Sequence, residues 1–420
     1  MDAMKFLRTA STQRLLAILA GLIIAVAGGT AIAVAASSGG PTPPRESLAQ
    51  ALHQAATAPT VSGLSARITF TNNLIGADNL QGSGNSDPIL TGASGRLWVS
   101  TTDHRLRLEL QGQGGDAQLV IDNGAFSIYD PSSNTLYKGT LPSSSDGKSS
   151  STSSETIPTV AQIQTQLNQL MQNLNVVGPL PRNVAGQPAY KVKVSPKHDG
   201  GLLGDVQLAW DAAHGIPLGI SIYARDSGTP VLELKATGIS FGQVAPGDLS
   251  IKAPASAKVV QVSSAADHAA ADKTGKGKGA GAKKRHTQVT GPAAVQAHLP
   301  FTLAAPTTVA GLPRQSVELL NWGGHPAALA TYGQGLGGIA VIEQAATSSQ
   351  SQSKSSSSSD SNGQPGLSLP TVTINPTTSG QELATALGTV LRFTNGGVSY
   401  TVLGSVPPAA AEAAARQLAP

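Results

Sequence analysis

Apolar and polar residues alternate along much of the chain, which is the spacing of strands with one buried face. The clearest case is Arg105–Leu110, where three leucines alternate with charged residues. Asp122-Asn123-Gly124 is typical of a hairpin turn between two such runs. These patterns predict a long antiparallel sheet with strands near 64–70, 105–110, 118–121, 125–129, 135–138, 189–194, 205–210, 216–223 and 231–237.

Two stretches of the same region have helical spacing instead, with apolar residues three or four positions apart. In Glu46–Ala58 these are Leu48, Leu52 and Ala55, and in Val160–Leu174 the opposite face is made of Gln and Asn. We expect both helices to pack against one side of the sheet.

A second region repeats this style at smaller size, with strands predicted near 317–320, 327–331 and 338–343. Ser379 and Glu382 have the spacing of a capping box, which predicts a helix that Gly388 ends. Asn395-Gly396 predicts a turn between strands at 390–393 and 398–403, and the alanine-rich segment 409–418 predicts a terminal helix. The fold class predicted for the whole chain is α+β.

Three low-complexity stretches cannot bury enough apolar surface to fold: Ser143–Ser154, Ala265–Arg285 and Ser348–Ser361. The middle one predicts a basic flexible linker over 258–289 between domains at 45–257 and 290–420. The last one predicts a Ser-rich insert at 347–366.

The N-terminal segment Leu15–Ala36 is apolar except for Thr30. At about 1.5 Å per residue it is long enough to cross a hydrocarbon core of roughly 30 Å. Basic residues precede it, which predicts a cytoplasmic N-terminus at 1–14, a transmembrane helix at 15–36 and an extracytoplasmic body. Ala33-Val34-Ala35 leaves the alternative of a secretory signal cleaved near Ala35. Both place the body outside the cytoplasm.

The amino-acid composition narrows the classes of function that the chain can have. The chain has no cysteine, 4% aromatic residues and 12% charged residues, so aliphatic side chains must fill its cores. Six of the 28 basic residues lie in Lys273–Arg285, which is either a solvated linker or a segment attracted to anionic head groups or wall polymers. A folded basic face for nucleic acid is not indicated.

No enzyme motif fits its context. Gly333–Gly338 matches G-x-G-x-x-G, but strand-like residues follow where a dinucleotide site needs a helix. Gly238–Gly242 matches G-x-S-x-G, but no helix follows Ser240, so a hydrolase is the weakest alternative. The eight histidines are scattered without metal-ligand spacing. We predict no catalytic residue, no metal and no cofactor.

Several runs together resemble the LolA-like superfamily, which contains lipoprotein carriers, lipid-binding lipoproteins and RseB-type sensors of envelope stress. They are Ala93–Val99, Arg105–Leu110, Val120–Asp130, Tyr190–Val194, Val206–Asp211, Gly215–Leu218 and Thr237–Gly242. The chain departs from the lipoprotein members because it has no lipid-bearing cysteine. Residues 290–420 resemble a small domain found in some anti-sigma factors and LolA-like proteins. The alanine-rich style resembles that of actinobacterial proteins.

The resemblance implies a curved, unclosed half-barrel sheet with covering helices and a hydrophobic cavity. It implies a membrane-anchored, non-enzymatic protein of the cell envelope that carries or senses a lipid or lipoprotein. The alternative is a regulatory module that contacts an anti-sigma factor or an ABC transporter. The cavity candidates are Leu106, Leu108, Leu110, Phe126, Ile128, Val192, Val194, Leu208 and Trp210.

Overall fold

The computed structural model describes residues 40–75, 92–112, 115–131, 133–141, 158–262, 289–322, 325–346 and 369–419. Most of these residues belong to strands of two sheets. The first sheet contains β1 Gly63–Asn72, β2 Ala93–Ser100, β3 Arg105–Leu110, β4 Ala117–Asp122, β5 Ala125–Asp130, β6 Thr135–Thr140, β7 Leu174–Val184, β8 Gln187–Pro196, β9 Leu203–Asp211, β10 Pro217–Ala224, β11 Pro230–Phe241 and β12 Lys258–Val262.

Two meanders are joined at the centre of this sheet, in the order β12-β6-β5-β4-β3-β2-β1-β11-β10-β9-β8-β7. The joint is the antiparallel pair β1–β11, in which Leu64 pairs with Phe241 and Phe70 with Leu234. Local turn chemistry accounts for the neighbouring hairpins: Asn123 and Gly124 both have positive φ, as a tight hairpin turn requires. The sheet is open, with β12 and β7 as its edges.

Among the described residues, the helices of the first region lie at one end of its sheet. Helix α1 (Leu48–Thr57) is capped by Ser47 and packs on α2 (Val160–Leu170), whose N-terminus is the capping box of Thr159 and Gln162. Leu48, Leu52 and Ala55 of α1 pack against the β7–β9 end of the sheet. Both predicted helices are therefore present, although α2 ends four residues before the predicted Leu174, which begins β7.

A strap crosses the opposite face of the sheet. It leaves β11, passes through a 3-10 turn at Pro246–Leu249, and ends in β12, which pairs in parallel with β6. Arg107, stacked over Trp98 with its guanidinium 4.9 Å from the ring centroid, donates to the backbone oxygen of Asp248 at 3.3 Å. The side-chain oxygen of Gln118 accepts from the backbone N–H of Lys252 at 2.9 Å.

The second sheet has eight strands in the order β13-β14-β15-β16-β20-β19-β18-β17. Two helices accompany it, α3 (Pro292–Gln296) and α4 (Pro408–Leu418), and α4 lies over β17, β19 and β20. The strands are β13 Thr308–Val309, β14 Leu312–Trp322, β15 His325–Tyr332, β16 Ile339–Ala345, β17 Thr371–Asn375, β18 Thr378–Thr385, β19 Gly388–Asn395 and β20 Val398–Gly404.

Two predictions of local structure are wrong. Ser379 and Glu382 do not cap a helix, because Thr378–Thr385 is strand β18 and Glu382 pairs with Leu391 of β19. Residues 258–262, assigned to the flexible linker, form strand β12 because β6 offers them an unpaired edge. The turn at Asn395-Gly396 is present, and its two central residues are Gly396 and Gly397 with positive φ.

The predicted transmembrane segment 15–36 lies outside the described residues, as do Ser143–Ser154, Ala265–Arg285 and Ser348–Ser361. Among the residues that the structure describes, no helix is both long enough and apolar enough to span a bilayer.

Candidate functional site

The centre of the first sheet presents a continuous aliphatic face, which we call the inner face. On β1 it consists of Leu64, Ala66 and Ile68, which alternate with the polar residues Ser65 and Arg67. Residues directly opposite each other in an antiparallel pair lie on the same face of the sheet. The register therefore extends the inner face from β1 to Leu97 and Val99 on β2, and to Leu234, Ala236 and Ile239 on β11.

An apolar cavity of about 100 Å³ lies on the inner face, across five adjacent strands. Its walls are almost entirely aliphatic. They comprise Leu64, Ala66, Ile68, Leu97, Val99, Leu208, Ile216, Pro217, Leu218, Ile220, Leu234, Ala236 and Ile239, together with Val61, Thr101, Gly219 and Lys235. The Thr101 hydroxyl donates to the Val61 carbonyl at 2.5 Å, so this polar group of the lining already has a partner.

All nine predicted cavity residues lie on the inner face, on strands β3, β5, β8 and β9. Leu106 and Leu108 pair with Val99 and Leu97 of its wall. The same register continues through β4 to Phe126 and Ile128 of β5, and on the other side through Leu208 to Val192. Because partners share a face, one surface runs from β5 to β8.

Only Leu208 of the nine lines the cavity itself. Leu108 and Leu110 belong to the cluster of buried side chains around its wall, whereas Val192, Val194 and Trp210 pack beneath helix α1. Leu106 is buried, and Phe126 and Ile128 are half-buried.

The lining residues that sequence reasoning missed are on β1, β2, β10 and β11. Alternation predicted strands at β1, β10 and β11, and residues 93–99 of β2 were among the runs that carry the family resemblance. Which strands are central depends on the β1–β11 pair, which joins Leu64 to Phe241 and has no local signal.

One polar contact joins the β8–β9 end of the sheet to the segment that precedes helix α1. The Tyr190 ring lies 6.0 Å from that of Trp210, and its hydroxyl donates to the Pro44 carbonyl at 2.8 Å. Burial, together with the nearby Glu46 carboxylate, raises the pKa of Tyr190 to about 12. Tyr190 therefore remains a neutral donor that ties the chain before α1 to the sheet.

The β9–β10 turn contains a buried acid–imidazole pair. One carboxylate oxygen of Asp211, Oδ2, accepts from the backbone N–H of His214 at 2.6 Å and from its Nδ1 at 2.7 Å. The His214 ring is 4.3 Å from that of Phe241, the partner of the cavity residue Leu64. Within the described ranges, no group of three or more metal-ligating side chains is present.

Neither enzyme motif has the structure that its chemistry needs. Gly333–Gly338 is the turn between β15 and β16, and the N–H of Gly337 donates to the Asp199 carbonyl at 2.7 Å. Ser240 lies within strand β11, where its hydroxyl donates to the backbone oxygen of Ser65 at 3.4 Å. A nucleophile elbow requires a strand–turn–helix at the serine.

No protein-family model and no curated protein matches the sequence. Solved structures do match the chain. A MucA/MucB complex of Pseudomonas aeruginosa has a TM-score of 0.38 and 15% identity, and the match covers 87% of this chain and 96% of that one. MucB in complex with the periplasmic part of MucA has a TM-score of 0.37 and 15% identity, with 84% and 91% covered.

A LolA superfamily protein of Nitrosomonas europaea has a TM-score of 0.17 and 8% identity, and the match covers 45% of this chain and 89% of that one. The resemblance seen in the sequence therefore reappears among solved structures. Identities and TM-scores of this size concern the fold and identify neither a ligand nor a partner of this chain.

Proposed function

We propose that the chain is a non-enzymatic envelope protein that binds the hydrocarbon part of a lipid or lipoprotein on the inner face of its first sheet. The observation that carries this proposal is the aliphatic cavity across β2, β1, β11, β10 and β9. A cavity of this composition gives a ligand no directional contacts and selects for apolar surface alone.

The size of the cavity limits how much of a ligand it can hold. Sites for drug-sized ligands usually measure about 300–1,000 Å³, so a cavity of about 100 Å³ holds only part of an acyl chain. The half-buried residues Leu108, Leu119, Phe126 and Ile128 continue the same face beyond the cavity. We propose that the rest of the acyl chain lies along them, which gives the predicted residues Leu108, Phe126 and Ile128 a role beside the cavity.

Filling the cavity tests this function. Ala66 and Ala236 both line it, so Ala66→Phe and Ala236→Phe should occupy the space that a ligand needs. The full chain is purified from its own host and examined by native mass spectrometry with lipid extraction. We expect a co-purifying lipid mass on the unmodified chain and its loss from both variants.

The matched control is Ala294→Phe, an exposed position of helix α3 in the other half of the chain. This variant should retain the lipid. An unmodified chain that carries no lipid and binds no alkyl probe would contradict the proposal.

The anchor is proposed from the sequence alone. We propose that residues 15–36 hold the protein in the membrane with its body outside the cytoplasm. Membrane fractions washed at alkaline pH should retain the full chain, and added protease should digest the body in intact spheroplasts. Release of the chain into the medium, with a new N-terminus near Ala35, would instead support the cleaved signal.

A regulatory module is the second candidate, and contacts between the two sheets favour it. The N–H of Leu202 donates to the Ser405 carbonyl at 3.0 Å, and the N–H of Ala386 donates to the Leu74 carbonyl at 3.0 Å. The second region is thus bonded directly to the loops of the first. A protein partner that binds the full chain and is lost on deletion of 290–420 would support this function, and a partner retained without that region would oppose it.

A further inference from the structure

Four exposed hydrophobic side chains lie close together in the chain, where helix α2 ends and strand β7 begins. They are Leu170, Met171, Val177 and Leu180, with relative exposures of 50%, 40%, 52% and 39%. Ten large hydrophobic residues are exposed among the described residues, so four of the ten lie in this short segment. Single exposed hydrophobic residues are ordinary, whereas a group of them is typical of an interaction surface.

A β-bulge brings Val177 and Leu180 onto the same face of the sheet. Val177 pairs with Lys193 and Leu180 pairs with Lys191, so three positions of β7 match two of β8. The extra residue shifts the alternation, and each apolar side chain lies beside a lysine. Val192, between the two lysines, packs beneath helix α1. The lysines and their apolar partners are therefore on the opposite, outer face of the sheet.

The surroundings of these apolar side chains are basic. Residues 156–197 contain no aspartate and no glutamate. Four basic residues lie in the same range: Arg182, Lys191, Lys193 and Lys197. Among the described residues, only Lys193 of these four forms an ion pair, with Asp205 at 2.9 Å. Exposed apolar side chains beside cations are the combination that binds the surface of an anionic bilayer.

The backbone of the same edge is poorly suited to pairing with an added strand. Strand β7 is the outermost strand of the first sheet and contains Pro179 and Pro181. Neither proline has an N–H group to donate to a further strand, and prolines on an edge oppose such pairing. The edge therefore offers side chains rather than main-chain groups, which favours a bilayer over a peptide that pairs with β7.

The first described residues of the chain lie at this edge. The side-chain amide of Asn183, on β7, donates to the Pro41 carbonyl at 3.0 Å, and the Tyr190 hydroxyl of β8 donates to the Pro44 carbonyl. Gly40 follows the last residue of the proposed anchor at 15–36 by four positions, which span at most about 14 Å. The proposed anchor therefore keeps the β7 edge close to the bilayer.

We propose that the outer face of the β7–β8 edge binds the surface of an anionic phospholipid bilayer. Val177 and Leu180 enter the boundary between head groups and acyl chains, and Arg182, Lys191 and Lys193 contact the lipid phosphates. This surface is separate from the aliphatic cavity, so the inference goes beyond the proposed function. It rests on the proposed anchor.

A fluorescent probe at Val177 tests the contact. The chain has no cysteine, so one introduced cysteine places an environment-sensitive fluorophore at a single position. The full chain is reconstituted into vesicles of phosphatidylcholine and phosphatidylglycerol in equal parts, and the quencher is a phosphatidylcholine spin-labelled on its acyl chain. We expect quenching in Val177→Cys. Leu180→Cys gives a second measurement if Val177→Cys does not fold.

The matched control for the probe is Val259→Cys. Val259 lies on β12, at the opposite edge of the same sheet, and its exposure of 55% is similar to that of Val177. The fluorophore at this position should not be quenched.

Neutralising one cation at a time tests the electrostatic part. The ratio of quenched to unquenched probe at Val177 should fall about fivefold in Lys191→Gln and in Arg182→Gln, which is the effect of one basic residue near an anionic surface. Lys258→Gln, at an exposed position of β12, is the matched control and should leave the ratio unchanged. Vesicles of phosphatidylcholine alone should quench the probe less.

The outcomes separate this inference from the proposed function. Quenching that is absent at Val177, equal at Val177 and Val259, or unaffected by Lys191→Gln and Arg182→Gln would overturn the inference. A chain that does not stay with the vesicles would overturn it together with the anchor. Ala66→Phe should lose the lipid of the cavity and keep the quenching. A chain that carries no lipid but is quenched at Val177 would contradict the proposed function and support this inference.

Discussion

The first sheet has twelve strands and two separate clusters of buried side chains, whereas the eight-stranded second sheet has one continuous core. The difference lies in the helices. Helix α4 lies over β17, β19 and β20, and its alanines Ala411, Ala414 and Ala415 are fully buried. Helix α1 reaches only the β7–β9 end of the first sheet, which leaves the cavity beside it. In the second sheet, side chains of the helix complete the core over the middle strands. In the first sheet, the helix lies over one end, and an apolar space that could hold a ligand is left beside it.

Both sheets bury a carboxylate, Asp211 in the first and Glu343 in the second, and the two differ in their hydrogen-bond partners. Glu343 of β16 is fully buried in the second sheet, where its carboxylate accepts from the N–H groups of Ala304 and Ala305 at 2.8 and 2.9 Å. These bonds hold the loop before β13 against the sheet. Burial raises the pKa of Glu343 in spite of the two bonds.

The largest effect on stability is expected from removing the two hydrogen bonds that Glu343 accepts from Ala304 and Ala305. Glu343→Leu puts an apolar side chain of similar size in the same buried position, but it leaves two N–H groups without their acceptor. This should cost about 2–4 kcal/mol of unfolding free energy. Hydrogen exchange measured on peptides of each sheet should show the loss of protection in the second sheet alone. Gln381→Leu, at an exposed position of β18, is the control and should change little.

A pair of alanine substitutions sharpens the contrast in packing. Ala330 is fully buried in the second core, so Ala330→Leu should overpack it and cost about 1–3 kcal/mol. Ala66 lines the cavity of the first sheet, so Ala66→Leu fills empty space and should cost close to nothing. Denaturant unfolding followed by hydrogen exchange compares the two. Equal losses in both sheets would contradict the difference in packing.

The pH dependence of the second sheet has a definite sign. Because the folded state raises the pKa of Glu343 above its ordinary value of 4.5, it binds a proton that the unfolded state has released. Stability should therefore fall as the pH rises above 4.5, by at most about 1.4 kcal/mol per pH unit for this one group. Burial and the nearby Glu412 also raise the pKa of Glu382, so the difference between wild type and Glu343→Gln isolates Glu343. A slope unchanged in that variant would contradict the assignment.

The smallest effect is expected at helix α2, which buries only Ile163. Its N-terminus is bonded through Thr159, whose hydroxyl accepts from the N–H of Gln162 at 3.3 Å. Thr159→Ala should cost about 1 kcal/mol and speed hydrogen exchange within α2. Thr165→Ala, in the exposed middle of the same helix, should have a smaller effect. Helix α4 has no side-chain cap and relies on its buried face instead.

Much of the local structure follows from the spacing of apolar residues along the chain and from the residue types at the turns. The alternation at Arg105–Leu110 and the turn at Asn123-Gly124 predict strands and a hairpin that the structure contains. The segment around Ser379 shows where this reasoning fails. Its capping-box spacing is local, whereas Glu382 is held by its partner Leu391 on β19, and pairing with a neighbouring strand overrides a weak helical signal.

The candidate site likewise has some features that follow from the sequence and others that depend on the tertiary structure. The sequence by itself determined which side chains share the inner face, because alternation with period two places every second residue of a strand on one side. Only the tertiary structure decided which of them border the cavity, since that depends on the β1–β11 pairing and on how far helix α1 reaches across the sheet.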